Sequence, residues 1–217
     1  MSDPRYIEIY TALLAAYGPQ HWWPGETPTE VAIGAVLTQN TAWTNVERAI
    51  DRLRSAGCMD FARLHALASA ELERLIRPAG TFRVKARRLR ALAEWVKARG
   101  RDIVAALAGD TVEVREQLLA VHGIGPETAD AILLYAGGRA RFVVDAYTRR
   151  MLRRHHLIDG DESYAEVQRR MEASLPRDAA LFNEYHALIV RVGKNHCRAK
   201  ARCDGCPLAY LPHDETA

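Results

Sequence analysis

The chain has 217 residues, of which 48% are hydrophobic and 26% charged, a composition that excludes disordered, collagen-like and fibrous classes. A chain of this length buries roughly 70% of its unfolded surface, so no disulfide framework is needed and the four cysteines are free for other chemistry. Thirty basic against 27 acidic residues leave a net charge of +3, which permits an anionic partner without demanding one.

The stretch Met1 to Tyr10 carries Asp3, Arg5 and Glu8, so it has neither the basic start nor the apolar run of a secretory signal. No apolar stretch approaches the roughly 18 residues of a membrane span. The expectation is a cytoplasmic protein in a reducing compartment, where clustered cysteines more often bind metal than pair with each other. Apolar residues recur at helical spacing, as in Ile7, Tyr10, Leu13, Leu14 and Tyr17, or Val46, Ile50 and Leu53 before Gly57. Helix starts are signalled at Thr27-Pro28-Thr29-Glu30, at Ser69 and at Thr111, with breaks at Pro24-Gly25, Pro78-Ala79-Gly80, Gly100, Gly137-Gly138 and Gly160. About ten short helices joined by short loops predict an all-α fold.

In chain order, His21-Trp22-Trp23-Pro24 and Leu37-Thr38-Gln39-Asn40-Thr41-Ala42-Trp43 hold three of the four tryptophans, which serve either as core or as an aromatic platform. The basic concentration Arg77, Arg83, Lys85, Arg87, Arg88 and Arg90 reads partly as a solvated helix face and partly as a DNA contact. From Val114 to Leu134 two apolar-periodic helices flank a turn with glycines at 123 and 125. The second helix starts at Pro126, where unpaired N–H groups can converge on an anion such as a DNA phosphate. Asp145 follows Phe142-Val143-Val144 and precedes a helical segment, a position that caps a helix and stabilises an ionised carboxylate. The tail, Cys197 to Pro207, spaces three cysteines as Cys-x5-Cys-x2-Cys in a polar, basic segment that apolar burial cannot organise.

The turn resembles the helix-hairpin-helix of the endonuclease III superfamily of DNA glycosylases. Its pattern Leu-x-x-[Val/Ile]-x-Gly-[Ile/Val]-Gly-x-x-Thr-Ala is carried by Leu118, Val121, Gly123, Ile124, Gly125, Thr128 and Ala129, and Val143 to Arg150 resembles the segment around the family's essential aspartate. The resemblance implies a two-domain helical glycosylase with an iron–sulfur loop: a six-helix domain at 28–137 holding the hairpin (about 114–134), and a second domain from 1–27 plus 138–217. It further implies a monomer acting in the nucleoid on double-stranded DNA that holds a damaged base, with the duplex in a cleft near Asp145. Gly123, Ile124, Gly125 and Thr128 would meet the DNA backbone, and Gln39 sits where relatives carry a glutamine that fills the gap left in the duplex. Asp145 would stabilise the oxocarbenium-like sugar and help to activate water or an amine at C1′.

Bifunctional members carry a lysine two residues after the second hairpin glycine, and here that position is Glu127, which cannot form a Schiff base. A monofunctional enzyme using water is the simplest inference, with Lys85 and Lys194 as the amines that could otherwise substitute. Trp-Trp-Pro, Leu-Thr-Gln-Asn-Thr and the glutamate together are similar to the 3-methyladenine glycosylase branch. That similarity implies Trp22 and Trp43 as a sandwich for a flipped alkylated purine, with Pro24 at the pocket wall. In the family tail, Cys-x6-Cys-x2-Cys-x5-Cys binds a [4Fe-4S] cluster. Here the first interval is one residue shorter and Pro212 takes the fourth position, so Cys197, Cys203 and Cys206 would be completed by His213, by Asp214 or by a small exogenous ligand. A zinc site of Cys197, Cys203, Cys206 and His213 is the alternative. Rival functions are an endonuclease III-like glycosylase/lyase on oxidised pyrimidines, a mismatch thymine or adenine glycosylase, and a non-catalytic DNA-binding protein.

Overall fold

The structure, a computed structural model, describes residues 3–22 and 25–214. It is helical throughout, with no strand among the described residues. Twelve α-helices are seen there: α1 (Arg5–Tyr17), α2 (Pro28–Leu37), α3 (Trp43–Ser55), α4 (Phe61–Ala66), α5 (Ser69–Ile76), α6 (Phe82–Arg99), α7 (Ile103–Ala106), α8 (Thr111–Ala120), α9 (Pro126–Ala131), α10 (Ala146–Arg154), α11 (Tyr164–Ser174) and α12 (Ala179–Asn195). The chain divides into two compact units, Pro24–Arg139 and Met1–Trp23 with Ala140–Ala217.

In the 24–139 unit, α2 is apolar on every side, with Val31, Ala32, Ile33, Ala35, Val36 and Leu37 all buried, so it has to be the central helix. It packs against α3, α6, α7, α9 and a π-helical turn, Ile132–Ala136, that continues α9. The unit holds eight helices where six were expected, the additions including the short α4 and α7. Thr27 caps α2 by accepting the Glu30 amide, with Pro28 at the first helical position. Two of the expected starts shift by a residue. Asp110, not Thr111, caps α8, because its carboxylate accepts the amides of both Val112 and Glu113, and Ser69 lies inside α5 with Ala68 at the cap.

The other unit is built on α12, whose Phe182, Tyr185, Leu188, Ile189 and Val192 are fully buried against α1 and α10. The Tyr185 hydroxyl donates to the Tyr6 carbonyl at 2.8 Å and so ties α12 to α1. α10 and α12 approach closely at Gly193, where an added Cβ would lie 2.4 Å from Tyr147 Cδ1.

Candidate active site and DNA-binding hairpin

The hairpin is α8, a turn through Val121–Gly125, and α9. Ile124 is buried at its centre, and Asp130, fully buried on α9, is gripped by Arg115 of α8 through Nε–Oδ1 at 2.7 Å and Nη2–Oδ2 at 2.9 Å. The two glycines differ in kind. Gly123 has φ +81°, and a Cβ there would lie 2.3 Å from Arg88 Cγ, so both conformation and space require glycine. Gly125 has φ −91° and ψ 177°, which any residue adopts, and a Cβ there would meet nothing within 4 Å. The fold itself places no demand on Gly125.

Gln39 is engaged with this turn. Its Nε2 donates to the Gly123 carbonyl (3.2 Å) and Thr128 Oγ1 (2.8 Å), while its Oε1 accepts from Arg88. Arg90 donates to the carbonyls of His65 and Leu67. Lys85 is 1% exposed, its Nζ donating to the carbonyls of Leu37 (2.8 Å) and Ala79 (2.7 Å). The basic concentration on α6 is therefore neither one solvated face nor one phosphate-binding face. Burial and Arg88 push the Lys85 amine down to about 8, a nucleophilic range, yet burial also seals it from any substrate. Lys194 is exposed on the last turn of α12, and Glu127 is exposed in the first turn of α9.

Asp145 is the N-cap of α10, its Oδ1 accepting the Thr148 amide at 2.8 Å. The carboxylate remains 15% exposed and therefore reachable. Burial alone would raise its pKa; His186, with Nε2 at 3.5 Å from Oδ2, and Thr148 outweigh this and hold it below the ordinary carboxylate value. His186 was not among the residues expected from sequence. Its position in the buried stripe Phe182, Tyr185, His186, Ile189 was the available signal, a polar side chain on an apolar helix face. One face of Trp22 stacks on this imidazole, with ring centroids 5.4 Å apart and planes inclined by 23°. Pro24 lies outside the described residues. In the 24–139 unit, Trp43 is half-buried at the start of α3 and its Nε1 donates to Glu47 Oε1 at 2.9 Å.

The three tail cysteines line one pocket together with His155, His196 and His213. The His213 Nδ1 donates to the Leu211 carbonyl (2.8 Å) and the His155 Nδ1 to the Pro212 carbonyl (3.3 Å). Burial pushes His155 down to about 4, so it is neutral at physiological pH. Asp214 does not line the cavity; its amide donates to the Arg154 carbonyl. Arg154 Nη1 lies 3.2 Å from Cys197 Sγ, and this guanidinium also binds the carbonyls of Arg198 and Ala199. Among the described residues no three His, Cys, Asp or Glu side chains converge on a single-ion site. Cys58 is buried apart, its Sγ donating to the Ala56 carbonyl.

A two-glycine hairpin followed by an ionised, partly exposed aspartate at a helix N-terminus defines a class of helical base-excision proteins, and the comparisons place the chain within it. Residues 33–177 match the HhH-GPD superfamily of base excision DNA repair proteins, and the chain belongs to that family. It is 45% identical over 203 residues, 93% of this chain and 92% of the relative, to a provisionally assigned DNA repair glycosylase of Methanocaldococcus jannaschii. The H. pylori 3-methyladenine DNA glycosylase bound to 1,N6-ethenoadenine superposes with a TM-score of 0.77 at 29% identity, over 88% of this chain and 97% of that one. Endonuclease III in a non-covalent DNA complex shares the fold, with a TM-score of 0.81 at 24% identity over 98% and 96% of the two chains. The protein is a DNA glycosylase of the base-excision type.

Proposed function

We propose that this glycosylase releases alkylated purines of the 3-methyladenine type by hydrolysis, without a lyase step. The observation that carries the reading is Asp145, a carboxylate kept ionised yet reachable, which is what a developing oxocarbenium sugar requires. Water is the nucleophile: position 127 offers no amine and Lys85 is sealed inside its unit. The turn of Gly123, Ile124 and Gly125 meets the DNA backbone, and the open space at Gly125 is where a phosphate approaches, the Ile124 amide being already bonded to the Val121 carbonyl. Trp43 supports a cationic base, since an indole whose N–H is bonded to the Glu47 carboxylate is electron-rich and attracts a desolvated cation by about 1–2 kcal/mol. Trp22, one face of which stacks on His186, is the second indole of this reading. Gln39 fills the duplex gap by exchanging its contacts to Gly123, Thr128 and Arg88 for the orphaned base.

The tail is read as a [4Fe-4S] site, with zinc as the alternative, because the three cysteines and His213 line one pocket in the spacing that resembles the family's cluster tail. Cys197, Cys203, Cys206 and His213 would hold it, as Asp214 does not line the cavity. Bound there, the group supplies metal–ligand cross-links that fix the cationic loop of Arg198, Lys200 and Arg202.

The deciding experiment is base release from a panel of duplexes carrying alkylated, oxidised or mismatched bases, with and without a later alkaline step. Release of alkylpurines with strand breaks only after alkali is the expected result; preferred release of oxidised pyrimidines with direct strand cleavage would overturn it. Asp145→Asn should lower release about a hundredfold or more while duplex affinity stays nearly unchanged.

A further inference from the structure

His186 is a buried imidazole to which the reading above gives no part beyond its effect on Asp145. It sits on the inward face of α12, 4% exposed, with Trp22 stacked on its ring and Phe142 edge-on at 6.5 Å and 86°. With the ring packed on a face and at an edge, its Nε2 lies 3.5 Å from Asp145 Oδ2. The Thr148 amide fixes the other carboxylate oxygen.

Among the described residues, several neighbouring polar groups of the same unit hold other partners. Arg141 pairs with Glu172, which also accepts the Phe142 amide, and the Tyr164 hydroxyl accepts from the Val144 amide. On α10, Arg149 donates to the Glu162 carbonyl and Arg150 to the Cys197 carbonyl, while Tyr147 packs against Gly193. On α12, Glu184 accepts the Gln20 amide and Arg191 donates to Gln20 Oε1.

We infer that His186 is a positioning residue for Asp145: clamped by Trp22 and Phe142, its imidazole fixes the orientation of the carboxylate. The inference rests on the catalytic assignment of Asp145. A carboxylate this enclosed, left to the Thr148 amide alone, drifts toward the neutral acid, and a neutral acid offers the sugar cation nothing. Trp22 thereby acquires a second role, since removing the indole frees the imidazole to rotate.

The test measures base release against pH, duplex affinity and melting temperature for the full chain, with Asp145→Asn as reference. His186→Phe keeps the packed ring and removes the polar contact. It should bind duplex as wild type does, lose about tenfold or more of the plateau rate, and shift the acid limb of the profile upward by about one pH unit. His186→Gln, whose amide can donate to Oδ2, should recover most of the plateau. A His186→Phe profile superimposable on wild type would overturn the inference, as would a uniform loss at every pH matched by equal losses in affinity and melting temperature. Turnover by Asp145→Asn would instead sink the catalytic assignment beneath it.

Discussion

Gly123 and Gly125 answer to different constraints, and substitution separates them. Gly123→Ala forces a side chain into the left-handed region and against the Arg88 stem, and should cost about 1–3 kcal/mol of stability. Gly125→Ala should leave the melting temperature nearly unchanged while weakening duplex binding about tenfold, since its Cβ meets only the space a phosphate would enter. Equal thermal losses in the two variants would show that Gly125 serves the fold after all. At position 127 the glutamate predicts no covalent adduct on borohydride reduction with a lesion-containing duplex, and efficient trapping would reopen the search for an amine at the exposed Lys194.

At the scale of the helix pair, the hairpin is braced by the Arg115–Asp130 ion pair, whose carboxylate is fully buried. Asp130→Asn leaves Arg115 facing an amide that cannot match its fork, and should cost about 3 kcal/mol, lowering the melting temperature by roughly 6–12 °C. A calorimetric difference within 1 °C would show the pair to be dispensable. The hairpin and the aspartate were legible in the sequence because their signals are local: glycines in a turn, a proline at a helix start, a carboxylate before a helix. What escaped notice is tertiary. Nothing in the neighbourhood of Lys85 says that it points at the carbonyls of Leu37 and Ala79, far off in sequence or across a turn, and Arg88 and Arg90 look the same on paper as the exposed Arg83 and Arg87. His186 is distant from Asp145 in the chain, and only the packing of α12 on α10 brings the two together.

At the scale of the molecule, the tail is where the metal reading stands or falls. Purified protein should be brown and hold about four irons per chain, and His213→Ala should bleach faster than Asp214→Ala. Stoichiometric zinc in colourless protein would replace the cluster with a Cys3His site. The same tail braces α10 from behind: the helix begins at Asp145 and ends at Arg154, whose guanidinium is bonded to the carbonyls of Arg198 and Ala199 and touches Cys197. Lys194, Arg198, Lys200 and Arg202 are all exposed along this brace, so a protease that cuts after basic residues finds several targets there. A nick between Arg198 and Arg202 loosens the far end of the helix that carries Asp145, and base release should therefore decay in step with the first cut rather than with later digestion of the helical core.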